Sequence, residues 1–496
     1  MGKLSGEVIY DGTNSPPESE SQSVTVQDWT DEEEKRVVRK LDFTVLPLLT
    51  IVFFFLQLDR TNMGNALTDN FLKDTGITQY QYNIGQQLLS AGIVILEIPS
   101  NLILYKVGPR VWISCQILAW GLVATFQAFQ HGLGPYIATR FLLGLCEAGF
   151  IPGGLYVLSM YYKKSETSKR FSVYFFGNNF AAACTGLMAY GILQMRGVGG
   201  LAGWQWLFLL EGIMTICSGL LFMALMPKDP NHPKSFLGFT AFTEREQYIL
   251  RQRVLHDDAS KERKHDHISM KELGHILSNW RIYPHVIMGI CGMAPVTTLS
   301  QYGPTLVKSF GYGRLRSNAL SSVGPWIQIV LNFLSGYLAD KTNRRGFVNL
   351  GGLSLWWGFT LGNLILADSK SREARYALLT CALAVQYIWH PVNGAWLSMN
   401  SRSPAERSVT MAMFVMSANL GGIVGAQIFQ AEDAPHYKTG WTVIVCLISV
   451  AIVMNLFNNV QYRLSNRALA KAEANDALDE KVEGQALPEA GWRYKL

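Results

Sequence analysis

The sequence predicts an all-α membrane protein with 12 transmembrane helices in two six-helix halves. Three observations carry that prediction. Charged residues are 16% of the chain, yet they are nearly absent from long stretches and crowded into short ones. Twelve apolar runs each approach the ~20 residues a helix needs to cross roughly 30 Å of hydrocarbon. A charged segment, residues 227–282, separates the sixth run from the seventh. Averages alone, 496 residues at 49% hydrophobic with a formal charge of +6, would also suit a large soluble enzyme. The segregation of charge decides against it.

The elements follow in order. Residues 1–42 form a polar tail with no cleavable signal sequence, so the first span serves as the targeting signal. In this tail "TDEEEKRVVRKLDF" opens a short surface helix, because Thr30 with Glu33 fits a capping box. The first half, 43–226, holds spans near 43–66, 81–105, 112–130, 134–160, 170–194 and 204–226. The linker 227–282 interleaves acids with bases and reads as a solvated tether. The second half, 283–461, holds spans near 283–307, 319–339, 348–367, 375–397, 408–430 and 440–461. Residues 462–496 alternate Ala with charges and read as a weak helix or disorder.

Basic residues in short loops give the orientation. Lys106, Arg110, Lys163, Lys164, Lys169 and Arg170 lie on one side of the first half, against Lys73 and Arg196 on the other. Both termini are therefore expected in the cytosol, although the loops of the second half show no such bias. The seven cysteines stand singly in apolar runs, so neither a metal site nor a disulfide framework is indicated, and no cofactor is expected.

Span one contains "FFFLQLDRTNMGNA", where Asp59 and Arg60 interrupt the apolar run. A charge at a helix centre costs on the order of 2.5–3.5 kcal/mol, so such residues face a cavity or a partner. Adjacent residues point about 100° apart, so at least one of the two must look to another helix. Span four, "ATRFLLGLCEAGFIPGG", offers Arg140 and Glu147 on one stripe. Arg140 matches the depth of Asp59 and Arg60, and Glu147 lies closer to the midplane. Arginines supply a permanent positive site for an anion, and carboxylates at low dielectric can take up a proton near neutral pH. Glu97 and Glu211 read as structural anchors, and His390 as a packing histidine. Asn393, beside a helix break, and Tyr302 are candidates to touch a substrate. The glycines of span four and of "NLGGIVGAQ" read as sites of close helix approach.

"GYLADKTNRRG" contains Gly336, Asp340, Arg344 and Arg345. It resembles the cytoplasmic loop motif of the major facilitator superfamily, whose acid and base clamp helix ends in one access state. The first-half copy, "LYKVGPRVW", keeps only Gly108 and Arg110. Further stretches, "LDRTNMGNA", "EIPSN", "RFLLGLCEAGFIPGGLYVLSMYY", "WLFLLEG", "MPKDP" and "EDAPHYKTG", resemble the anion:cation symporter family. Within it they resemble the allantoate permease branch, best known from fungi, over about residues 30–462.

The resemblance implies proton-driven import of a small organic anion such as allantoate, nicotinate or pantothenate. It gives Asp59 and Glu147 to proton coupling and Arg60 and Arg140 to anion binding. Expected partners are that anion, the proton and the lipid bilayer, with no nucleic acid and a monomeric chain in the plasma membrane. Export is the rival reading, against which span five lacks the Gly-Pro motif usual in antiporters; a nutrient sensor of the same fold is another. An enzyme is not expected, since no nucleophile–base pair or phosphate loop is found.

Overall fold

The structure, a computed structural model, describes residues 28–257, 270–401, 404–483 and 494–495. Among these, all regular secondary structure is helical.

Helix α1 (Asp31–Thr68) begins at the expected capping box. Glu33 N–H donates to Thr30 Oγ1 and Thr30 N–H donates to Glu33 Oε2. It does not stop before the span, however. The separate surface helix expected in the tail is instead the first turns of α1. Val37, Leu41 and Val45 are fully buried on one face and hold this segment to the bundle. Pro47 lies inside the helix without ending it.

The first half continues through α2 (Phe71–Thr75), α3 (Gln79–Val107) and α4 (Pro109–Phe126). After them come α5 (Leu133–Glu147), α6 (Phe150–Tyr161), α7 (Lys164–Ile192) and α8 (Gly203–Leu225). The linker contributes α9 (Glu244–Asp257) and α10 (Met270–Leu277). The second half comprises α11 (Tyr283–Ser309), α12 (Arg314–Ser321), α13 (Val323–Thr342) and α14 (Arg345–Ile365). It ends with α15 (Arg372–Val385), α16 (Trp389–Met399), α17 (Pro404–Gly425) and α18 (Lys438–Glu483). These helices make the twelve crossings. The fourth, eighth and tenth crossings are each built from two pieces, α5–α6, α12–α13 and α15–α16.

Two expectations change here. Part of the linker is docked rather than solvated. The Arg253 guanidinium is fully buried, with Nη2 on both oxygens of Glu166 (2.5 and 2.6 Å) and Nε on Glu34 (3.2 Å). Ile249 and Leu250 are fully buried with it, and Lys40 pairs with Glu246 at 2.7 Å. Residues 249, 250, 253 and 254 share one helical face, which makes α9 a component of the first half. Likewise α18 runs through the expected end of the last span to Glu483 without a break.

The halves meet along α1 with α11, α3 with α17, and α7 with α12 and α13. Inter-half hydrogen bonds among the described residues gather at the end far from the termini. Tyr302 donates to Asn83 Oδ1 (2.5 Å), Asn83 and Gln79 donate to the Phe429 carbonyl, and Gln427 donates to Gln87. Lys308 donates to the Thr68 carbonyl, Asn318 to Thr68 Oγ1, and Arg314 pairs with buried Asp69. A polar layer thus seals the far side.

Candidate functional site

The charged residues of the first and fourth crossings converge. Arg60 Nε donates to Glu147 Oε2 at 2.6 Å. Glu147 is fully buried and its second oxygen has no partner, whereas the Arg60 side chain remains 21% exposed. Asp59, one residue back, points the other way, as a 100° step requires. It accepts a hydrogen bond from Thr215 Oγ1 of α8 at 3.1 Å.

Arg140 is fully buried. Its Nη2 donates to Gln127 Oε1, while Nε and Nη1 have no partner. Both Asp59 and Glu147 lie within electrostatic range of Arg140. No ion pair within 4 Å joins them to it, among the described residues.

The backbone places Glu147 by ending α5 there. Ala148 is extended and Gly149 is left-handed (φ +81°). A Cβ on Gly149 would come 2.6 Å from Ser100 Oγ. A broken helix inside a membrane protein must satisfy the polar groups it frees. Gln116 does so by donating to the Ala148 carbonyl at 2.6 Å, and Glu97 by accepting from the Gly149 N–H at 3.4 Å. Gly149 is therefore the break itself, a role the sequence reading missed. Gly144, in contrast, lies against the Leu89 backbone as a close-approach glycine.

Other expected residues fall elsewhere. Asn393 faces His285, its Oδ1 2.6 Å from Nδ1, and His285 Nε2 lies 3.0 Å from the Tyr462 hydroxyl. Tyr302 belongs to the far-side seal. His390 stacks on Phe414 (4.5 Å) and contacts Tyr387 (5.0 Å), which is within electrostatic range of Arg60. In the loop motif Arg345 pairs with Asp340 at 2.6 Å, Arg344 is exposed, and a Cβ on Gly336 would meet open space. That ion pair stays within its own loop. Arg110 donates to the Lys234 carbonyl of the linker.

Two contributors escaped the sequence reading. Thr215 and Gln127 are neutral polar residues that give no signal inside an apolar run. Glu211, taken as an anchor, is fully buried with neither carboxyl oxygen hydrogen-bonded. It sits one turn before Thr215, within electrostatic range of Asp59.

The comparisons with known proteins match the chain as a whole. Residues 49–426 match the Major Facilitator Superfamily. The chain belongs to that family. It is thus a multi-pass membrane protein and a transporter of the major facilitator type. An uncharacterized transporter of Saccharomyces cerevisiae is 31% identical, over 88% of this chain and 82% of that one. The MFS-type transporter efuF of Hormonema carpetanum is 28% identical, over 92% and 91%. Among solved structures, a D-xylose-proton symporter superposes with a TM-score of 0.63 at 13% identity, covering 84% of this chain and 97% of the other. At that identity the likeness concerns the fold.

Proposed function

We propose that this transporter is a proton-coupled symporter that imports a small organic anion, a carboxylate of the allantoate, nicotinate or pantothenate kind, by alternating access. The observation that carries the reading is Arg140, a buried guanidinium with two unpartnered donors beside Asp59 and Glu147. Buried donors of a charged group left without acceptors are costly. A substrate carboxylate accepts the free N–H groups in the geometry that suits a guanidinium.

Coupling follows from the Arg60–Glu147 pair. Protonating Glu147 removes the charge that holds Arg60 and frees the partly exposed guanidinium for the anion. Asp59 and Glu211 are further carboxyls where a proton can reside. Anion and proton together add no net charge, so the fully loaded cluster, unlike one holding the anion or the proton alone, carries no extra charge through low dielectric when it reorients. With both termini in the cytosol, the sealed far side is the outer face of the plasma membrane. This conformation is then closed to the outside, and the loop motif's ion pair is confined to its own loop as an unclamped state requires. The stretches that resemble the allantoate permease branch support the substrate class, and a monomer contains the whole site.

Purified protein in vesicles with an acidic outer medium tests this. Labelled carboxylates and sulfonates are offered with and without a protonophore. Accumulation that collapses with the protonophore is expected. Uptake indifferent to the proton gradient overturns the coupling, and accumulation only under the reversed gradient makes the protein an exporter.

A further inference from the structure

The terminus-side end of the second half holds a short peptide in a built site. Asn466 of α18 bonds both main-chain groups of Tyr494. Its Nδ2 donates to the Tyr494 carbonyl and its Oδ1 accepts the Tyr494 N–H, each at 2.8 Å. Asn400, which follows α16, treats Lys495 in the same way, accepting its N–H at 2.7 Å and donating to its carbonyl at 3.1 Å. Trp396 Nε1 donates to that carbonyl as well, at 2.8 Å. Consecutive residues of an extended chain turn their N–H and C=O groups to opposite sides. The segment therefore runs between α16 and α18 and bridges them.

Of the two described residues of the segment, Tyr494 is the one whose side chain is held. The Tyr494 ring is 5% exposed and stacks on Tyr462, with centroids 4.9 Å apart and planes at 19°. The Arg281 guanidinium lies over it at 5.9 Å. The Lys495 side chain is exposed. Main-chain bonds thus supply general affinity, and one aromatic pocket supplies selectivity, the logic of strand-type peptide recognition.

We propose that Trp396, Asn400, Tyr462 and Asn466 form a peptide-binding site for an extended segment with a leading aromatic residue, occupied by the chain's own Tyr494–Lys495. Occupancy has a mechanical effect. The helix α16 is the shorter piece of the tenth crossing, joined to α15 through the break at residues 386–388. The docked segment ties this piece to α18 and, through Arg281, to the start of α11. It acts as an intrachain latch on the piece of the second half with a hinge behind it. This site lies outside the charge cluster and is independent of the transported solute.

The test uses the full chain with residues 492–496 deleted and a labelled synthetic peptide of residues 488–496, read by fluorescence anisotropy. Saturable binding in the micromolar range is expected for the deleted protein and none for the intact chain, whose site is filled. A Tyr494→Ala peptide should bind roughly tenfold more weakly. Hydrogen exchange of amides 396–401 should be roughly tenfold or more faster in the deleted protein. If the deletion aggregates, full-length Tyr494→Ala carries the same two readings. Absence of saturable binding to a monodisperse protein, or unchanged exchange over 396–401, overturns the proposal.

Discussion

Arg140 is a guanidinium in the interior whose one hydrogen-bond partner, among the described residues, is the neutral Gln127. Since Arg140 forms no ion pair within 4 Å among the described residues, Arg140→Gln breaks none. Melting temperature and membrane abundance are expected to hold while anion binding falls about 10–100-fold, the worth of one charge-assisted bond. Melting curves and uptake on the same preparations separate the two effects. Glu147→Gln keeps the shape but cannot lose a proton. Counterflow exchange should continue while gradient-driven accumulation stops, and intact accumulation would count against Glu147. Depth and spacing were enough to bring Asp59, Arg60, Arg140 and Glu147 together on paper. Of the two ion pairs the sequence suggests as a structural alternative, Arg60–Glu147 is observed, whereas Asp59 meets Thr215 rather than Arg140. Rotation of α1 sends Arg60 to Glu147 and Asp59 to Thr215, and Asn393 is claimed by His285, 108 positions away.

Breaks and docked pieces decide more than the helices themselves. The twelve crossings were readable because hydrophobic length is a property of composition. The interruption at Gly149 was not, because a glycine in an apolar run looks the same whether it permits contact or turns the chain. Gly149→Ala forces an L residue into a left-handed conformation, at roughly 1–2 kcal/mol, and drives its Cβ into Ser100. A lower melting temperature and lower uptake together are expected, since Glu147 rides on that turn. The docked α9 escaped notice because its charges resembled a solvated linker. Burial works to raise the Glu34 carboxyl, but Lys163, Trp29 and Arg253 outweigh it and hold it below the ordinary glutamate range. For Glu246, burial is likewise outweighed by Lys40 and Thr243. Depressed carboxyls stabilise docking fully above the ordinary value of about 4.3, and that stabilisation is lost as pH falls through their lowered values. Protection of amides 244–257, taken relative to the intrinsic exchange rate at each pH, should therefore be high at neutral pH and fall on acidification. In Arg253→Met it should be low already at neutral pH.

Between the two halves, the far-side layer is made mostly of neutral hydrogen bonds, with one ion pair at Asp69–Arg314. Such bonds are worth about 1 kcal/mol each, so the closed arrangement is held by a few kcal/mol and can be biased by single changes. Tyr302→Phe removes the hydroxyl that serves Asn83 and Gln79. The open population on the far side should grow about 5–30-fold, which spin-label distances across that face would register; an unchanged distribution would remove Tyr302 from the seal. The two-half plan was visible in the sequence, whereas the direction of opening depends on contacts between residues more than 200 positions apart. The buried Arg253 also redraws the seam of the chain. Fragments divided between α9 and α10 would each retain every part of their own bundle and should co-purify when produced together. A division at residue 227 would instead leave Glu34 and Glu166 facing an empty socket.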